Sequence, residues 1–179
     1  MDLQKARECL KEIVYECHRF HFFPCLMFGS LLGAIREGKF LDNEYDIDLF
    51  MVSDIDDFKT LKVEFFSLCD LLKYGYNYEK KSCSTSLFLA LKKDDVLIDI
   101  NLGVFLEDKY VVNSDIFIDI YPSEFFRNLE EIKFEGCKVF VPENAEGLLE
   151  YYYGKNWRIP MSLQGSEKEI MKTRIWKDR

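Results

Sequence analysis

The chain has 179 residues, 24 basic and 32 acidic side chains and a net charge of −8, with 48% hydrophobic and 16% aromatic residues. That length suggests one domain, able to bury roughly 70% of its unfolded surface, and the composition excludes disorder over most of it. The acidic balance argues against nucleic-acid binding, which needs basic surface, and no apolar run approaches the roughly 20 residues of a membrane span.

The charge is uneven. Residues 42–57 carry seven acids and no base, and residues 155–179 carry seven bases and three acids. Both blocks can be plain solvated surface; the first also suits a metal site and the second a phosphate or lipid surface. The first residues lack the apolar core of a signal peptide, so the expected location is the cytoplasm, peripheral to the inner face of a membrane if the basic tail makes that contact. Six cysteines, at 9, 17, 25, 69, 83 and 137, show no zinc-like spacing and read as reduced thiols.

Leu3, Ala6, Leu10, Ile13, Val14, Cys17 and Phe20 recur at helical spacing and predict a helix over 2–21. His18 and His21 fall near its end, where packing or capping suits them, and Pro24 prevents continuation. The run 24–28 reads as a buried strand. Gly29 and Ser30 then open a helix with Leu31, Leu32 and Ile35 on its inner face, ending near Gly38. Main-chain N–H groups at such a helix start favour an anion, and the Ser30 hydroxyl adds a donor; Ser30 is equally an ordinary N-cap.

From Tyr45 onward the chain alternates apolar and acidic, as a strand with one buried face does. Asp46 and Asp48 therefore share one face while Ile47 and Leu49 share the other. Two adjacent carboxylates repel unless a proton or cation intervenes, and Mg²⁺ or Mn²⁺ is the natural partner; solvated surface acids are the alternative. A helix follows over 54–74, capped by Ser53 or Asp54. Apolar runs at 86–92 and 96–101 flank a short polar loop and predict a hairpin. Asp99 interrupts the second run, and a buried strand seldom carries an unpaired carboxylate, so Asp99 is a candidate third ligand. Asp119, in Ile-Phe-Ile-Asp-Ile, repeats the pattern and is its rival. Further strands are expected at 109–112, 116–121 and 137–141. A helix opened by Pro142 should run to Tyr153 and stop at Gly154. These elements interleave into one α+β domain over 1–160, followed by a basic tail over 161–179 in which Ile170, Ile175 and Trp176 would dock a last helix.

Strand, Gly-Ser, helix, an Asp-x-Asp strand and a later acid together resemble the nucleotidyltransferase fold, a mixed sheet with helices packed on it. The local order Phe28-Gly-Ser-Leu-Leu-Gly-Ala-Ile-Arg-Glu-Gly-Lys-Phe-Leu41 before Asp46-Ile-Asp48 is similar to the LicD/fukutin family. So are Val139-Phe-Val-Pro-Glu143 and Leu149-Glu-Tyr-Tyr-Tyr-Gly-Lys-Asn-Trp-Arg-Ile-Pro160. Many bacterial members carry Pro-Trp-Asp-Asp before the paired aspartates, where this chain has Asp42-Asn-Glu-Tyr45; Glu44 either replaces one of those acids or binds nothing.

The resemblance implies transfer of a phosphorylated alcohol, such as phosphocholine or ribitol phosphate, from a CDP-linked donor to a hydroxyl of a glycan or glycolipid. Asp46, Asp48 and Asp99 would hold Mg²⁺ or Mn²⁺ and form the catalytic centre. Gly29 and Ser30 would bind phosphate, and Arg36 would reach a phosphate or pair with the acids. Two other readings remain: nucleotidyl transfer from a nucleoside triphosphate to a small molecule or protein, and a non-catalytic domain of the same fold.

Overall fold

The computed structural model describes residues 2–42, 46–82, 87–113, 117–160 and 174–176. Glu44 and most of the basic tail lie outside them. Among the described residues, five helices and ten strands form a mixed α+β fold.

Helix α1 (Leu3–Arg19) is capped by Asp2, whose carboxylate accepts from the N–H groups of Gln4 and Lys5. Its stripe of Ala6, Leu10, Ile13, Val14 and Cys17 is buried. β1 (Phe22–Leu26) leads into α2 (Phe28–Arg36), and β2 (Asp46–Ser53) pairs antiparallel with β1. α3 (Phe58–Gly75) starts later than expected because Asp57 is its cap. Ser53 instead donates to the His21 carbonyl and accepts from Ile55 N–H, closing the turn after β2.

β3 (Glu79–Ser82) and β4 (Phe88–Lys93) precede the long β5 (Val96–Leu106). The predicted β4–β5 hairpin forms through Asp94 and Asp95, both at positive φ, the geometry of a tight two-residue turn. β6 (Lys109–Asn113) and β7 (Phe117–Pro122) continue the meander; α4 (Glu124–Arg127), β8 (Leu129–Phe134) and β9 (Cys137–Pro142) follow. β8 was not legible in the sequence, because it is an edge strand whose charged residues blur the alternation. α5 (Ala145–Tyr153) begins after Asn144, which accepts from Gly147 N–H; Pro142 ends β9 rather than opening the helix. Gly154 stops α5 at φ 81°, as expected. In the tail, β10 (Arg174–Trp176) pairs antiparallel with β7, so Ile175 and Trp176 sit in a strand and not in a docked helix.

The main strand order is β10-β7-β6-β5-β2-β1-β9-β8, with β4 alongside β5 and β3 alongside β4. The pleat sorts the layers. Met51 meets Cys17 of α1, and Phe22 packs edge-on to Phe65 of α3, which places those helices on one face. Phe50, on the opposite face, packs against Phe28 of α2, which in turn meets Tyr152 of α5. Cys9, Cys17, Cys25 and Cys69 are buried and Cys137 is half-buried, none of the five in a disulfide, as their spacing suggested; Cys83 lies outside the described residues. His18 packs against Phe140. No helix among the described residues is long and apolar enough to cross a membrane.

Tyr110 crosses β5 on the α2 face to donate to the Met51 carbonyl at 3.2 Å, and its ring lies where a side chain at position 103 would stand. Gly103→Ala is expected to destabilise the protein by about 1–3 kcal/mol through overpacking. Denaturant unfolding checks this; an unchanged midpoint would mean that Tyr110 does not lie over β5.

Candidate active site

The site grows from the pairing of β2 with β5. The strands run parallel with Asp48 opposite Asp99 and Asp46 opposite Leu97. Alternation turns Ile47, Leu49, Ile98 and Ile100 into the layer beneath α1 and α3, where each is essentially fully buried. The same alternation turns Asp46, Asp48 and Asp99 onto the α2 face. One carboxylate oxygen from each lies within 4.8 Å of the others, and all three residues are half-buried. Burial, and then the charge of Asp46, push the Asp99 carboxyl up to about 6.

The β1–α2 junction holds the helix start against these acids. Met27 N–H donates to the Asp48 carbonyl and Asp48 N–H donates to Ser30 Oγ, both at 3.1 Å. The backbone of the central acid is thus tied directly to the first turn of α2. Phe28 makes the corner at φ 47°, a left-handed conformation that costs a non-glycine residue about 1–3 kcal/mol. Its ring is held by Phe50 and Tyr152, with centroids 5.5 and 5.0 Å away. Gly29 and Ser30 lie in the first turn, where the helix itself supplies no acceptor for their N–H groups. The Ser30 side chain is fully buried, and its hydroxyl is engaged as a clamp on Asp48.

Arg36 lies at the other end of α2. It pairs with Glu37 at 2.9 Å and donates to the Trp157 carbonyl at 3.4 Å, so its carboxylate partner is Glu37 and not one of the clustered aspartates. Asp119 is also apart from the cluster. It is fully buried on β7, opposite Val112 of β6, which itself faces Gly103. That places it two strands from β5 and level with a residue four positions beyond Asp99. Tyr121 donates to it at 3.3 Å. Phe50, Tyr110, Tyr121 and Phe126 pack together at that end of the face and close it with aromatic rings.

The donor set suits a hard divalent cation. Oxygens bound to an octahedral ion at ~2.1 Å stand ~3–4.2 Å apart, so three oxygens within 4.8 Å need only small adjustments to share one. Neighbouring main-chain N–H groups at a helix start suit phosphate. One polar residue on the same strand face, Asn101, was passed over in the sequence. Its signal was its place two residues after Asp99 in an otherwise apolar run.

Asp99 also makes a pH signature. Its native pKa is raised above the ordinary 3.8, so its ionisation opposes folding. The unfolded chain releases this proton near pH 4 and the native chain only near pH 6. Its stabilising contribution is therefore full below pH 4, is lost as pH rises to about 6, and stays lost above. In EDTA-treated protein, Asp99→Asn is expected to raise the melting temperature at pH 7.5 and to leave it unchanged at pH 3.5–4. Equal gains at both pH values would remove the ionisation argument.

Comparisons with known proteins agree with this architecture. The family model described as LicD/FKTN/FKRP, nucleotidyltransferase domain, matches residues 23–144. Ribitol 5-phosphate transferase FKRP of mouse and of human are each 27% identical to the chain over 133 residues, covering 70% of this chain and 26% of the relative. The chain thus spans about a quarter of the length of these curated relatives. The solution structure of the antibiotic-resistance factor ANT(2'')-Ia superposes with a TM-score of 0.57 at 14% identity, covering 96% of this chain and 83% of that one. At that identity the likeness concerns the fold alone.

Proposed function

The chain belongs to the LicD/FKTN/FKRP nucleotidyltransferase-domain family, and on that premise we propose that it is a metal-dependent phosphotransferase. It moves a phosphorylated alcohol of the ribitol-phosphate or phosphocholine type from a CDP-linked donor to a glycan or glycolipid hydroxyl. The observation that carries this reading is the meeting of Asp46, Asp48 and Asp99 within 4.8 Å beside the first turn of α2.

In the proposed reaction the acceptor oxygen attacks the donor phosphorus that carries the alcohol. The bond from that phosphorus to CMP breaks, CMP leaves, and a phosphodiester joins the alcohol to the acceptor. Such transfers need in-line placement and charge neutralisation more than covalent help. Asp46, Asp48 and Asp99 would hold Mg²⁺ or Mn²⁺, which would supply the neutralising charge. The Gly29 and Ser30 N–H groups orient phosphate oxygens. The Ser30 hydroxyl keeps Asp48 in register with the helix start. Asp99, kept ionised by a bound cation, would take the proton of the attacking hydroxyl. The aromatic residues beyond Phe50 keep water from the inner end of the site. Arg36 is the last residue of α2 and pairs with its neighbour Glu37, so a phosphate role for it requires that pair to open.

Thermal unfolding with Mn²⁺ and CDP, CTP, ATP or GTP tests the reading. A ligand at one hundred times its Kd stabilises by about 2.7 kcal/mol, which corresponds to about 5–10 °C for a chain of this size. The expected result is a Mn²⁺-dependent rise with CDP or CTP, lost in Asp48→Asn. A rise with ATP or GTP alone would replace this reaction with nucleotidyl transfer, and no rise with any nucleotide would leave a non-catalytic domain.

The third ligand has its own test. Asp99→Asn is expected to weaken Mn²⁺ binding ~10-fold or more, the scale of losing a site residue, whereas Asp119→Asn stays within a factor of two. Calorimetric Mn²⁺ titration of both variants checks this, and equal effects would refute the assignment.

A further inference from the structure

Asn101 carries a second signature of a ligand in this site. It follows Asp99 by two residues on β5, so both side chains leave the same face, with Cα atoms about 7 Å apart. Asn101 is only 3% exposed, and its Oδ1 has no hydrogen-bond partner among the described residues. Its neighbours across the sheet are Phe50 of β2 and Phe88 of β4, whose rings donate nothing to an amide oxygen. A buried acceptor left unpaired costs free energy, so an orphan beside a functional site marks a missing partner.

The chemistry of that partner follows from the surroundings. The nearest polar side chain along this strand face is Asp99, which is itself an acceptor when ionised, as are Asp46 and Asp48. Acceptors do not satisfy one another. A hard cation satisfies all of them together, and such ions take amide carbonyl oxygens alongside carboxylates. We propose that Asn101 Oδ1 is a fourth protein oxygen of the cation site, reaching the ion directly or through one ion-bound water. It would stand at the inner end of the site, on the opposite side of Asp99 from Leu97, where the acids give way to aromatic rings. This inference rests on the cation reading of the three aspartates and adds a neutral ligand that holds the ion without deepening the repulsion among them.

The test uses Mn²⁺ alone, titrated calorimetrically at pH 7.5 into wild type, Asn101→Leu and Asn101→Asp, with the melting temperature of each metal-free protein. Leucine matches the shape and removes the oxygen. The expected result is affinity lowered fivefold or more in Asn101→Leu, with an unchanged or higher metal-free melting temperature because the orphan is gone. Asn101→Asp is expected to raise the affinity and to lower the metal-free melting temperature. Affinity within twofold of wild type in both variants would overturn the proposal, as would a loss of affinity in Asn101→Asp, which would make the amide a donor to Asp99. If Asn101→Leu does not fold, the aspartate variant decides alone. Wild-type protein that fails to bind Mn²⁺ overturns the cation reading itself, an outcome distinct from tight wild-type binding that ignores residue 101.

Discussion

Parallel pairing of β2 with β5 is the constraint on which the rest depends. Ile47, Leu49 and Met51 on one strand and Ile98, Ile100 and Leu102 on the other are at most 1% exposed. Each such burial contributes about 1.5–3 kcal/mol. That apolar layer fixes the register, because a slip of one residue would turn the whole set outward and drive the aspartates into the core. Hydrophobic burial on one face therefore holds three mutually repelling carboxylates together on the other. Burial, and then the charge of Asp46, raise the Asp99 carboxyl, and that cost is set against the apolar burial on the other face.

The second support is the corner between β1 and α2. Both main-chain groups of Asp48 are claimed there, one by Met27 N–H and one by Ser30 Oγ. The helix start cannot shift relative to the acids without breaking these bonds. Phe28 bears the backbone strain of the corner, and the packing of its ring on Phe50 and Tyr152 offsets it. Strain held by aromatic packing beside paired acids suits a pre-organised site, since the groups that would meet a diphosphate stand in place before it arrives. Phe50 also belongs to the buried ring cluster that closes the inner end of the face.

Local signals in the sequence carried much of this. The stripe of α1, the β4–β5 hairpin and the stop at Gly154 follow from spacing and turn chemistry. Element starts were less legible. Asp57 and Asn144 cap their helices where Ser53 or Asp54 and Pro142 were equally good local candidates, and only the path of the preceding strand separates them. Edge strand β8 was hidden because its outward charges obey solubility and not periodicity. Ile175 and Trp176 have the composition of a packing segment of either type, and the open edge of β7 made them a strand.

By itself, the sequence determined that Asp46 and Asp48 share a face, that Asp99 interrupts a buried strand, and that a Gly-Ser helix start precedes them. Alternation and helix-start chemistry act within a few residues, so they are written locally. Tertiary structure alone decided which later acid joins the pair. Asp99 and Asp119 sit in near-identical local patterns, and the choice depends on which strand lies beside β2, a pairing across some fifty residues of chain. It also turned Ser30 into a clamp, brought the Trp157 carbonyl to Arg36, and left the Asn101 oxygen without a hydrogen-bond partner among the described residues. Each of these outcomes is set by what a side chain meets across the fold, and no local period encodes that.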